Sequence, residues 1–588
     1  MSRLRRPSSV LTAPGRRSRV ARVGHVLSPR GALALHRVDG ALSFALRAAL
    51  AMALPAVPLA LAGHAGLAVY TMLGSLATTF GRNLPYPRRA RVLAAVAVAM
   101  TAGVAAGSAL GAWARPRDGG AGAAVVVVVT ALVAGLSKFA CDAARLSGLG
   151  AVLLLFSFAV AANGSPEPSD VLPHAGLAAL GAAVAWLLGM SGRLLHPDRP
   201  QRLAVAHALR ELAGLLETIG ARDGGGFGRH RVTAAVLQAY ATIGRLPPTA
   251  AERQDPGRRG GTCVVLTDLS WSLLIDSARR PPDDPAGLAE QLRAQVRLLV
   301  SRRARVPTIV PGLVGPISDA RAGAAPAAPA APGTTATRAA ELVTGAGLRG
   351  HGRAAVVLVP ALRMVLGTGI AGGTALALGL GHSYWAAISA AAVLHSVNVR
   401  TTAQRAVQRM LGTVAGLGLA LGVLALGPGP VVLVLVIVLL EFLLEYVVVR
   451  NYGLGVVFLT PLALLLTDVA APAPAGALVA DRAVSSVLGV AVALLCALVV
   501  VHDRAAVRAE RALAACTAAS AWAERALVEA AAPSYPLVQT RLAAAVVELR
   551  EADDAAAGEL WPAEIDPTEL AAAEQRAYQL LERLVRGR

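Results

Sequence analysis

Four charged residues stand inside long apolar runs, where charge is costly and by default marks function. Arg47 lies roughly two turns into Ala41–Leu61, and Arg363 lies about ten residues into Ala354–Leu380, on the order of 15 Å along a helix. A guanidinium at that depth needs a wet cavity or an anionic partner, and its planar fork suits a carboxylate. Each follows a leucine in the first apolar run of its half of the chain. Two such arginines across a twofold would form a fixed site for an organic anion, so Arg363 and Arg47 are the candidate substrate ligands. The alternative is that they snorkel to the interface. Glu441 and Glu445, four apart and hence on one helix face, interrupt another apolar run. A carboxyl in low dielectric can trade protons near neutral pH, which makes this pair the candidate for proton coupling. The competing role is a structural ion pair with Arg405, Arg409 or Arg450.

The remaining candidates sit at the ends of runs. His64 and His382 open the second run of each half at the outer interface, as external pH sensors or as interface residues. Arg82, Arg91, Arg400, Arg405 and Arg450 fall in alternate connections, and Arg409 opens the run that follows one of them, on the side that the positive-inside rule makes cytosolic. They mark topology, or line a cytosolic mouth. The other connections are neutral or acidic, with Glu167, Asp170, Asp468 and Asp481; Arg115, Arg117 and Arg482 fall on that outer side against the trend.

Positioning these residues requires membrane helices. The chain is 55% hydrophobic yet only 4% aromatic, so its apolar character comes from Ala, Val, Leu and Gly, which let helices approach closely. Beside the first and last halves' opening runs, the sequence offers Gly66–Phe80, Val92–Trp113, Ala121–Ser137, Gly148–Ala162 and Ala175–Met190, then Tyr384–Val397, Val407–Leu426, Val431–Val449, Gly453–Leu466 and Ala483–Val501. The expected fold is all-α and polytopic, with six transmembrane helices in each half. A basic leader (1–40) precedes the first bundle (41–195). A cytosolic helical domain (196–353), with an Ala/Pro linker at 321–340, leads to the second bundle (354–501) and a cytosolic helical tail (502–588). Both termini are expected in the cytosol, in a multi-pass protein of the plasma membrane.

The net charge of +20 does not indicate nucleic acid, because the arginines flank apolar runs rather than clustering with stacking aromatics. Cys141, Cys263, Cys496 and Cys516 have neither disulfide nor zinc spacing. The leader has no short apolar core with a cleavage site, so no secretory signal is expected. Phosphate-loop, zinc-protease and serine-hydrolase motifs are missing, so no enzyme activity, cofactor or metal is expected.

The halves also match each other. His64-Ala-Gly-Leu-Ala-Val-Tyr-Thr aligns with His382-Ser-Tyr-Trp-Ala-Ala-Ile-Ser, and Arg145-Leu-Ser-Gly-Leu-Gly with Arg450-Asn-Tyr-Gly-Leu-Gly. An even helix count in each half makes the repeat parallel, with the pathway expected between the halves. Gly103, Gly107 and Gly111, and Gly412, Gly416, Gly418 and Gly422, predict close backbone packing.

His382-Ser-Tyr-Trp-Ala-Ala-Ile-Ser-Ala, Arg405-Ala-Val-Gln-Arg409-Met-Leu-Gly412-Thr413 and Arg450-Asn-Tyr-Gly-Leu-Gly-Val-Val-Phe-Leu-Thr-Pro461, in that order, resemble the fusaric acid resistance protein-like (FUSC) family. The resemblance covers about Ala354 to Val501 and only weakly the first half. It implies an inner-membrane protein related to aromatic-carboxylic-acid efflux pumps and, more distantly, to plant aluminium-activated malate transporters. The expected function is a secondary exporter or permease of small organic anions such as aromatic carboxylates. Its partners would be the lipid bilayer, the anion and, at the simplest, a second copy in a homodimer. The alternatives are a passive anion channel and a non-transporting scaffold that binds partners through its cytosolic helices.

Overall fold

The structure is a computed structural model that describes residues 40–116, 119–144, 146, 150–164, 166–218, 225–248, 261–277, 282–301, 308–316, 351–396, 398–470, 474–499, 504–529, 535–557 and 566–586. The leader, the 321–340 linker, Arg117, Arg145 and Arg588 lie outside them. All regular structure among the described residues is helical. The first half comprises α1 (Ala41–Leu61), α2 (Ala65–Ser75), α3 (Tyr86–Ala114), α4 (Gly120–Ala143), α5 (Gly150–Asn163) and α6 (Val171–Leu195). The extramembrane helices α7 (Arg199–Thr218), α8 (Gly225–Ile243), α9 (Thr262–Asp276) and α10 (Pro285–Val300) follow. The second half is α11 (His351–Ala377), α12 (Tyr384–Leu394), α13 (Val399–Ala425), α14 (Pro430–Val447), α15 (Tyr452–Ala470) and α16 (Ala475–Val499). The tail forms α17 (Arg504–Val528), α18 (Tyr535–Ala557) and α19 (Pro567–Arg586).

Among the described residues nine helices are long and apolar enough to cross a membrane. The three apolar helices that are too short, α2, α5 and α12, have a physical reason to be so. All of α12 is buried, as is nearly all of α5. At about 1.5 Å per residue such helices cannot span a ~30 Å hydrocarbon layer, and surrounded by protein they need not. The long helices lie around them and turn leucines and valines such as Leu42, Leu132, Leu180 and Leu439 outward.

Packing follows one scheme in both halves. The second and sixth helices pair (α2 with α6, α12 with α16), as do the third and fifth (α3 with α5, α13 with α15). The halves exchange partners: α1 packs on α14 of the other half, and α11 on α4. Gly181 lies so close to the backbone at Thr71 and Ser75 that no side chain would fit, and Gly489 stands in the same relation to Ala386 and Ala390. Gly107 meets Phe158 as Gly416 meets Val457 and Thr460.

Helices α7–α10 and α17–α19, none of them among the candidate spans, share a single hydrophobic core. Trp271 of α9 is its largest fully buried side chain; its indole donates to Gln539 Oε1 of α18 (3.3 Å) and meets Tyr240 edge-on. Asn398, which caps α13, also donates to the Ala555 carbonyl at 3.3 Å, tying this unit to the bundle face that carries Arg82 and Arg400.

Candidate functional site

Arg363 is buried, but its guanidinium is committed to protein. One terminal nitrogen donates to the Leu394 and Ser396 carbonyls, at 3.0 and 2.9 Å. These carbonyls end α12, so Arg363 supplies the cation and donors that a helix C-terminus lacks. Arg47 is half-buried, with Nε on the Ser43 carbonyl (3.2 Å) and its guanidinium 5.5 Å from the centre of the Phe44 ring. The two arginines expected to face one another across a twofold thus make separate local contacts.

The carboxylate pair divides. Glu445 forms an ion pair with Arg82 and accepts from Thr79 Oγ1 at 2.8 Å, while Arg82 stacks 3.9 Å over the Phe44 ring. Its partner therefore comes from the first half, across the α1–α14 seam, and not from Arg405, Arg409 or Arg450. Glu441, one turn deeper, is 1% exposed with Oε2 lacking a hydrogen-bond partner. The equivalent stretch of α4 holds the Lys138–Asp142 ion pair at 2.8 Å.

Of the residues read as topology markers, Arg91 is exposed and Arg400 half-exposed, while Arg405 and Arg450 lie over Tyr452 and Tyr446, at 5.4 and 4.1 Å. His64 caps α2 without a side-chain bond; His382 Nδ1 pairs with Asp481 Oδ2 at 2.9 Å. Arg409 departs from its expected place. Only 1% exposed within α13, it has no hydrogen-bond partner for any guanidinium nitrogen. Its apolar run was expected to begin at Val407, but the helix begins at Val399, which places Arg409 three turns in.

Arg482 is the second departure. Sequence placed it outside the membrane, before a run starting at Ala483, but α16 starts at Ala475 and Arg482 is 1% exposed within it. It stacks 4.0 Å over the ring of Trp385 of α12, with Nε and one terminal nitrogen unpartnered. Arg409, Tyr384 and Tyr452 lie within its electrostatic reach. Among the described residues no carboxylate pairs with Arg409 or Arg482.

Around these two cations, α12, α13, α15 and α16 carry further buried polar atoms without partners: Trp385 Nε1, Ser389 Oγ, Thr413 Oγ1, Tyr452 OH, Thr460 Oγ1 and Ser485 Oγ. Helical spacing gathers them. Thr413 is one turn from Arg409, Ser485 one turn from Arg482 and Ser389 one turn from Trp385. Two buried guanidiniums and these hydroxyl and indole groups leave α12, α13, α15 and α16 rich in unpartnered donors, and among the described residues no carboxylate pairs with either arginine.

The first half has different chemistry at the equivalent positions. The glycine contacts above equate Tyr70 with Trp385 and His174 with Arg482, and Met100 with Arg409. His174 stacks on Tyr70 at 3.5 Å with Nδ1 3.2 Å from Ser108 Oγ, and the Ser157 hydroxyl meets Met100 Sδ at 3.3 Å. At these positions the first half pairs neutral groups with one another, whereas the second is left charged.

These features define a polytopic helical membrane protein with a buried cationic site in its second half. Residues 370–496 match the family described as fusaric acid resistance protein-like, so the chain carries the segment that its motifs resemble. That segment contains Trp385, Arg409, Glu441 and Arg482 but not Arg363. Over 463 residues the chain is 26% identical to the "Uncharacterized membrane protein YvaC" of Bacillus subtilis (strain 168), covering 76% of this chain and 71% of that protein. No solved structure matches the chain.

Proposed function

We propose that the protein is a secondary transporter of small organic anions, exporter or permease, whose substrate carboxylate binds between Arg409 and Arg482. The observation that carries this reading is the pair of buried guanidiniums without a carboxylate. Leaving such charges uncompensated in low dielectric costs several kcal/mol each, and an anionic substrate relieves the cost while it is bound. Trp385 Nε1 and Tyr452 OH add unpartnered polar groups beside the guanidiniums. The two halves act as parallel repeats of six helices, with the extramembrane unit and both termini in the cytosol of a plasma-membrane protein. Arg363 positions the site by holding the end of α12, and Arg47 anchors α1. Glu441 carries the coupled proton, its free carboxylate oxygen lying deep in α14 beside the Arg82–Glu445 pair.

The test is flux in proteoliposomes against a panel of carboxylates, with and without a pH gradient. Arg409→Gln and Arg482→Gln should each lower flux by tenfold or more, in line with about 1.5–3 kcal/mol for a hydrogen bond to a charged group. Glu441→Gln should abolish accumulation driven by the pH gradient while keeping downhill exchange. Normal flux in the Arg409→Gln, Arg482→Gln double variant would move the substrate elsewhere. Accumulation unaffected by Glu441→Gln would remove that residue from coupling.

A further inference from the structure

The outer faces of α3 and α6 enclose an open groove of about 680 Å³, lined by Ala94, Val98, Thr101 and Ala105 on one side and Ala183 and Leu187 on the other. Small side chains recurring at helical spacing along α3 make the trough, and Trp186 forms part of its wall. From Ala94 to Ala105 it runs about 16 Å along the helix. That is the depth of one leaflet of a ~30 Å hydrocarbon layer, not of the whole bilayer.

The groove is charged at one end only. Helices α3 and α6 are antiparallel there, with Gly192 against the Tyr86 ring and Gly189 against Leu93, so the start of α3 and the end of α6 lie together. Arg91 lies one turn before Ala94 on the groove face of α3, and Arg193 two turns beyond Trp186 on α6; both are exposed. Among the described residues neither has a carboxylate partner. The Trp186 indole donates to the Ala90 carbonyl (3.0 Å) beside this mouth, in the amphipathic setting where tryptophan marks the edge of the hydrocarbon layer.

We propose that this groove is a binding site for one anionic phospholipid of the leaflet that faces the extramembrane unit, an acyl chain lying along α3 and the headgroup phosphate held by Arg91 and Arg193. Apolar walls exclude a polar ligand from the trough, and two unpaired guanidiniums at its mouth select negative charge. A helix of a second copy would need a trough spanning both leaflets, and this one spans a single leaflet.

The full chain in lipid nanodiscs tests the proposal, using bromine-labelled acyl chains to quench tryptophan and a Trp186→Phe variant to isolate the Trp186 signal. Brominated phosphatidylglycerol should quench Trp186 at a lower mole fraction than brominated phosphatidylcholine, by about fivefold for each guanidinium. Arg91→Gln with Arg193→Gln should erase that preference, and Ala183→Leu, which fills the trough but keeps the mouth, should lower quenching by both lipids. Identical quenching curves for the two lipids in the unmodified chain would overturn the proposal. So would a Trp186 that neither lipid quenches while a Val98→Cys variant cross-links to a second copy, which would make the groove a subunit interface.

Discussion

Arg409 and Arg482 each lie in a helix interior with no countercharge among the described residues, and this makes their removal informative in two opposite directions. In the absence of substrate, a neutral side chain relieves an uncompensated buried cation. Arg409→Gln should therefore raise the midpoint of thermal unfolding of the substrate-free protein while lowering transport. A lower midpoint together with lost transport would instead indicate a structural role. These residues were only half legible in the sequence. Arg409 was visible within the Arg405-x-x-x-Arg409 motif, and Arg482 as an arginine against the topological trend. Their depth was hidden, because an apolar run read residue by residue stops at the first charges, whereas α13 and α16 continue for two turns beyond them. Conversely Arg363 looked like a ligand because burial alone was legible; its partners, the carbonyls ending α12, are contributed by residues 31 and 33 positions away.

At the scale of elements, the four-residue glycine spacing correctly anticipated close packing but not which glycines make it. Gly412 and Gly416 press against α15, as Gly107 and Gly111 press against α5, with no room for a Cβ. Gly103, Gly418 and Gly422 face open space. The difference depends on which face of the helix meets its neighbour, which spacing alone does not specify. Gly412→Leu should destabilise the bundle by about 1–3 kcal/mol or more through overpacking, seen as a lower melting temperature and aggregation in detergent, and Gly422→Leu should behave as wild type. Equal effects at both positions would show that helix flexibility rather than packing is what these glycines supply. The repeat alignment also changes at this scale. Sequence pairs His64 with His382, which would set Tyr70 against Ile388, but equivalent contacts set Tyr70 against Trp385. The packed faces follow contact, and the similar residues at the helix starts are offset by three.

For the whole molecule, the sequence showed twelve apolar segments and two polar regions; among the described residues nine of the apolar segments are helices long enough to span and three are short buried helices. It did not show that the two polar regions share one core, since Trp271 and Gln539 meet across 268 residues of chain. Trp271→Ala should cost about 3–5 kcal/mol and release α17–α19 to protease while the membrane bundle stays intact. Protection of the tail in that variant would mean that α17–α19 fold independently of α9. This unit joins the bundle beside the cap of α13, the helix that carries Arg409. Binding of an organic anion by the second half at Arg409 and Arg482 is open to an equilibrium measurement. A radiolabelled aromatic carboxylate should bind the intact protein in proteoliposomes saturably, one molecule per chain, and lose at least tenfold in affinity in the Arg409→Gln, Arg482→Gln double variant. Unchanged affinity in that variant would place the anion away from both arginines.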